Sequence, residues 1–363
     1  MTSTPATPTS ANQTSATHTS ETHTSETHPK PSLSAARYWN ELLAPYMVPS
    51  TRSALFQLLT TAALFVGGWA AMLWALDVSY WLTLALALPT AGFLIRLFIF
   101  QHDCGHGAFF KNRRLNDAVG FTIGVLMLTP YHYWRRTHAI HHGTSGDLDR
   151  RSFGDIDTLT VDEYLALSPI GRLGYRLYRS PLVLLVIGPI YQFFVKHRLP
   201  LDIPLSWRRE WASVLWTDLA LAGLFVLGWW QLGLERMLLV HVPILLVAQA
   251  VGVWLFYVQH QFEDTYWREH HAWDFHRAGL EGSSFYDLPT ILHWFTGNIG
   301  FHHIHHLSSR IPNYRLRACF RELPVLHKVT RLTLRSSLRT MRLKLWDPER
   351  GKLIGFRDLP SKA

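Results

Sequence analysis

Apolar residues in this chain fall into long unbroken blocks rather than into the three-or-four-residue rhythm of a helix on a soluble core. Ser53 to Leu76 and Tyr80 to Phe100 form one pair of blocks, separated only by Asp77, Val78 and Ser79. Trp211 to Trp230 and Met237 to Val258 form a second pair, joined by Gln231 to Arg236. Each block is about 20 residues or longer, enough for an α-helix to cross roughly 30 Å of hydrocarbon. Four transmembrane helices are expected. Two shorter apolar runs, Ala118 to Pro130 and Pro181 to Val195, read as interfacial or partly buried helices, the second carrying Gly188-Pro189. Ala36 to Met47, with Tyr38, Trp39 and Tyr46, reads as a segment anchored by aromatics at the headgroups.

The polar stretches divide the rest. Residues 1–34 are Thr/Ser-rich, with a short repeat beginning at His18 and again at His23. Such a head has too little apolar surface to bury and is expected to be disordered. A membrane domain over 35–325 and a basic C-terminal tail over 326–363 complete the division. Composition supports this partition. Hydrophobic residues make up 48% of the 363 and charged residues only 17%, which favours a polytopic membrane protein over two or three soluble domains. The net charge of +9 raises nucleic acid as a partner, but the distribution of charge excludes it. Residues 101–210 hold 14 Lys and Arg and residues 307–363 hold another 14, against none in Asp77 to Ser79. By the positive-inside rule those two basic regions, and the N-terminus, face the cytoplasm. Asp218, within the third apolar block, is costly there and is expected to face the protein interior.

Three polar clusters carry the candidate chemistry. His102 and His106 are four residues apart; His138, His141 and His142 form a His-x-x-His-His pattern, and His302, His305 and His306 repeat it. On a helix, positions i, i+3 and i+4 share a face. An even number of crossings separates the second cluster from the third, so all three are expected at the cytoplasmic ends of the spans. Eight imidazoles there exceed one tetrahedral zinc site and suit two metals. With Cys104 and Cys319 as the only cysteines, a four-cysteine metal site is excluded and nitrogen or oxygen ligands are expected. His260, leaving the fourth block at the same side, is a ninth ligand, and Asn298 a weak or water-mediated one. His241 and His293 read as hydrogen-bonded interfacial residues. Asp103, Asp147, Asp149, Asp155 and Asp157 are candidates to orient imidazole N–H groups.

The order His-x3-His, His-x2-His-His, His-x2-His-His among these spans resembles the integral-membrane fatty acid desaturases. The phrases His102 to Phe110, Thr144 to Thr160, Phe256 to Trp267 and Thr296 to Leu307 resemble the bacterial acyl-lipid branch of delta-9 and delta-12 types, and the likeness covers roughly residues 35 to 325. It implies an all-α membrane protein with a cytoplasmic helical cap and an O2-dependent desaturase of fatty acyl lipids in the bacterial inner membrane. It also implies two non-haem irons held by His102, His106, His138, His141, His142, His260, His302, His305 and His306, with Asn298 through water. His303 occupies a position that the family does not use. No Gly-x-Gly-x-x-Gly run and no His-Pro-Gly-Gly haem motif occurs, so ferredoxin or cytochrome b5 is expected as a separate electron donor.

Two other readings compete. Hydroxylases and ketolases acting on alkyl or isoprenoid chains also carry histidine boxes at a membrane face, and box spacing alone does not exclude them. A metal transporter would place ionisable ligands at mid-membrane, where only Asp218 and His241 fall.

Overall fold

The computed structural model describes residues 33–151 and 155–359. The head expected to be disordered therefore lies outside the described residues, apart from the two that open the first helix. In chain order the helices are α1 (Leu33–Leu43), α2 (Thr51–Ala75), α3 (Tyr80–Gly105), α4 (Arg113–Leu126), α5 (Tyr131–Thr144), α6 (Val161–Ala166), α7 (Pro169–Tyr178), α8 (Val183–Lys196), α9 (Arg208–Leu232), α10 (Leu234–His260), α11 (Phe275–Glu281), α12 (Thr290–Phe295), α13 (His302–Leu307), α14 (Asn313–Glu322) and α15 (Leu334–Thr340). Two short sheets accompany them. β1 (Phe285–Asp287) pairs in parallel with β2 (Arg331–Thr333), and β3 (Leu345–Asp347) pairs antiparallel with β4 (Lys352–Ile354).

α2, α3, α9 and α10 are each long and apolar enough to cross a membrane. At 1.5 Å per residue, helices of this length reach about 38 Å, longer than the hydrocarbon is thick. The excess appears at one end. α3 continues past its apolar run to Gly105 and α10 continues to His260, because those last turns are buried by protein rather than left in water. At the opposite end the connections are minimal. Gly233, at φ +78°, joins α9 to α10 by itself, a left-handed conformation that glycine adopts without steric cost. Arg236 crosses to Asp77 at 2.7 Å, tying the two hairpins together. α2 and α3 approach closely at Gly68, where a Cβ would come within 2.6 Å of Thr90 Oγ1.

Between α3 and α9 the chain makes two excursions. α4 and α5 are joined by a corner whose Leu128 has φ 56°, a strained conformation for a branched residue. Its carbonyl accepts from Arg198 Nη2 at 2.7 Å and lies 3.0 Å from His197 Nδ1. Arg198 also pairs with Asp218, which is thus turned toward a protein partner and not left alone in lipid. α7 and α8 meet at 59° and together form an apolar stretch of spanning length. α8 packs along α10, with Leu184 in the main core.

The remaining elements form a cap over the ends of α3, α5 and α10. The segment expected as a basic tail belongs to it. β2 completes a sheet with β1, and β3 places Trp346 at 1% exposure. Its apolar residues Leu332, Leu345, Trp346, Leu353 and Ile354 alternate too briefly among arginines to stand out in the sequence. Arg179, fully buried at the end of α7, locks the cap to the spans. It donates to the Asp157 carbonyl (2.9 Å), Thr158 Oγ1 (2.9 Å), Gln261 Oε1 (2.7 Å) and the Leu343 carbonyl (3.3 Å). Replacing Arg179 by Met strands those acceptors and should cost about 2–4 kcal/mol. Hydrogen exchange is expected to rise in 343–355 and around Thr158 while α2 and α3 stay protected; unchanged exchange in 343–355 would remove Arg179 from this role.

Candidate metal centre

α3 delivers His102 and His106, α5 delivers His138, His141 and His142, α10 ends on His260, and α13 carries His302, His305 and His306. These nine residues from four helices converge into two adjacent groups. His102, His106, His138, His142 and His305 form one; His141, His260, His302 and His306 form the other. Within each group the available ligand atoms lie within 4.8 Å of one another. The second group is wholly buried, whereas His106 and His138 of the first are partly exposed.

The partition differs from the expectation that each His-x-x-His-His shares one face. Successive residues on an α-helix turn by about 100°. Positions i and i+4 therefore stay about 40° apart, while i+3 falls about 60° to the other side. His138 and His142 accordingly go to the first group and His141 crosses to the second. His302 and His306 go to the second and His305 crosses to the first. Each pattern bridges the two groups.

Hydrogen bonds at the outer nitrogens decide what the inner ones carry. His141 Nδ1 lies 2.6 Å from Asp155 Oδ1, and His260 Nδ1 lies 3.1 Å from the Gly282 carbonyl oxygen. Both partners are acceptors, so both Nδ1 atoms hold the proton. In the neutral rings the two Nε2 atoms are then acceptors, and they face each other at 3.2 Å. His302 Nε2 adds a third nitrogen 3.0 Å from His260 Nε2. In the first group His142 Nε2 lies 3.1 Å from His138 Nε2 and 3.0 Å from His305 Nε2. Two nitrogens bound at right angles to one ion, each about 2.1 Å from it, are about 3.0 Å apart. Nε2 of His106 and of His306 are buried with no hydrogen-bond partner. The donor set thus fits two cations and leaves buried lone pairs unexplained without them.

Electrostatics agree. Burial first, and then the proximity of the other imidazoles, pushes His106, His138, His142, His302, His305 and His306 well below the ordinary imidazole value. These rings are neutral and open to a metal.

Of the five carboxylates considered, two touch the cluster. Asp155 holds His141. Asp103 Oδ1 lies 3.2 Å from His102 Nδ1, while its Oδ2 accepts from the backbone N (2.7 Å) and Nδ2 (2.9 Å) of Asn313. Asp147 and Asp149 instead hold His270, and the Asp157 backbone binds Tyr178 and Arg179. Asn298 donates to the Asn313 carbonyl at 3.3 Å. His303 is buried against the rings of Phe285 and Phe320 and belongs to neither group. His241 bonds the Met237 carbonyl, and His293 accepts from the Leu288 N–H. Three contributors lacked any local signal in the sequence. Asn313 is 210 positions from Asp103, and Gly282 acts through its backbone. Trp134 stacks on His138 at 4.5 Å, in space that a side chain at Gly105 would invade to 2.9 Å.

A family model described as fatty acid desaturase matches residues 79–332. A fatty acid desaturase of Bacillus subtilis is 45% identical over 315 residues, covering 87% of this chain and 89% of that protein. An sn-1 acyl-lipid omega-3 desaturase (ferredoxin) of Synechocystis is 32% identical over 230 residues, 61% of each chain. A Delta(12)-oleate desaturase of Trichosanthes kirilowii is 28% identical over 260 residues, 66% of this chain and 68% of that one.

Asp155→Leu removes the acceptor that fixes the His141 tautomer, and should weaken metal binding at the second group by about 10–100-fold. Metal analysis after dialysis against a chelator is expected to fall from two ions per chain toward one. Retention of two would show that Asp155 does not orient His141.

Proposed function

The chain belongs to the fatty acid desaturase family, and from that premise we propose that it inserts a cis double bond, of the delta-9 or delta-12 type, into a fatty acyl chain of a membrane lipid. The desaturase unit is residues 35–325, with the segment that follows folded onto it. His102, His106, His138, His142 and His305 would hold one non-haem iron, and His141, His260, His302 and His306 a second, with Asn298 contributing through water. Bound there, the irons supply the O2-dependent removal of hydrogen from an unactivated methylene, for which side chains alone have no oxidant. The observation that carries this reading is the facing pair of acceptor nitrogens on His141 and His260.

The protein's own part is position and dryness. Asp155, Asp103 and the Gly282 carbonyl orient the rings of His141, His102 and His260 through their Nδ1 atoms. α13, all six of whose residues are buried, closes the second group against water. Phe65, Val66, Trp69, Leu94, Leu126, Ile244 and Leu245, with His241, border a largely apolar cleft between α2, α3, α4 and α10, a surface suited to an acyl chain. The basic regions flanking the spans support a cytoplasmic position for the histidine-bearing end, in a bacterial inner membrane. Electrons would come from a separate ferredoxin or cytochrome b5.

The test is fatty-acid profiling of a heterologous host rich in saturated lipids, with bond positions located by mass spectrometry. New alkenes are expected, and His141→Ala should abolish them, to below about 1% of the parent. Alcohols or ketones instead of alkenes would favour a hydroxylase or ketolase. Purified protein given NADH without a carrier is expected to be inactive, and turnover under those conditions would overturn the separate donor.

A further inference from the structure

We propose that α7 lies in the plane of the membrane surface and that the groove along its flank binds the phosphate of a phospholipid headgroup. The proposal rests on the chain being a membrane protein and not on its redox chemistry.

Depth comes first. Arg179, one residue past α7, donates to Gln261, one residue past α10. α7 therefore sits level with the point where the α10 span ends, and α8 descends from it along α10. One face of α7 is apolar and uncovered: Ile170 is 83% exposed, Leu173 58% and Leu177 57%. The same surface continues onto α8 through Leu182, Val186 and Ile187. The opposite face is packed, with Tyr175 buried against Tyr164, Leu345 and Ile354. In water such a face would have no partner. At the level of a span's end, continuous with lipid-facing residues, it has one in the acyl chains at the boundary.

Charge supplies the second half. Arg172 and Arg176 lie on the flank between the apolar and packed faces, one turn apart. With Tyr164, Leu173, Phe356 and Leu359 they line an open groove of about 500 Å³. Each guanidinium is anchored by one edge. Arg172 donates to the carbonyls of Leu167 (3.1 Å) and Leu165 (2.5 Å), and Arg176 Nε donates to the Tyr164 hydroxyl at 2.7 Å. Arg176 also lies over Phe356, 4.8 Å from its centroid. Among the described residues no carboxylate pairs with either. Two oriented guanidiniums with unused N–H groups match the oxygens of a phosphate. Their place, beside a face immersed in acyl chains, is where headgroup phosphates lie.

The experiment uses the full chain in nanodiscs and needs no turnover. Cys104 and Cys319 are buried, so a spin label at Leu173→Cys reports alone. Collisions with O2 are expected to exceed those with a water-soluble nickel chelate; the reverse places α7 in water and overturns the proposal. Binding of dioctanoyl phosphatidylglycerol, followed by native mass spectrometry, should weaken about tenfold in Arg172→Gln/Arg176→Gln. Arg176→Gln, at an exposed position, should show part of that loss if the double variant does not fold. Dioctanoylglycerol, which lacks phosphate, should bind parent and variant alike. Unchanged lipid affinity in both variants overturns the headgroup site. Inorganic phosphate binding as tightly as the lipid overturns the lipid as its source.

Discussion

Two imidazole nitrogens that both carry lone pairs are not stable 3.2 Å apart in a dry interior unless positive charge lies between them. His141 and His260 are held in that arrangement from outside, by a carboxylate and a backbone carbonyl that each accept from Nδ1. A metal ion satisfies the geometry and the charge at once. The histidines that surround this pair follow from the same need, and α3 and α10 continue past their apolar runs to bring theirs to it.

Membrane solvation explains the features that a soluble protein would not require. Backbone leaves the helical path between α4 and α5, where Leu128 is strained and its carbonyl has no helical partner. Lipid offers no donor, so Arg198 and His197 provide them, and Asp218 in turn holds Arg198. Arg96 serves similarly. It is buried in α3, bonds Thr61 and Gln57 of α2 and the Trp294 carbonyl of α12, and lies over the Trp294 ring. In each case one guanidinium joins elements that apolar packing alone would leave free to slide.

The cap is organised by the same economy. Arg179 satisfies four acceptors from three separate stretches of chain, and through Gln261 it places them against the end of a span. That level also sets α7 at the boundary between water and lipid. The histidine-bearing end of α10 and α7 are thus referenced to one structural plane.

What the amino-acid order determined by itself was whatever depends on local periodicity: four apolar blocks long enough to span, and three histidine clusters at their polar ends. Those features need only the helix repeat and the thickness of a bilayer. The family was legible too, because the clusters come in a particular order among the spans. The tertiary structure decided the rest. It assigned His141 and His305 across to the opposite groups, an outcome of helix azimuth that a shared-face argument misses. It chose Asp155 and Asp103 over Asp147, Asp149 and Asp157, since proximity along a chain does not fix where a loop points. It recruited Asn313 and the Gly282 carbonyl from far away, and it folded the arginine-rich end into the cap through apolar residues too sparse to register as a pattern. Periodicity is a property of neighbours in sequence; a metal cage is a property of neighbours in space.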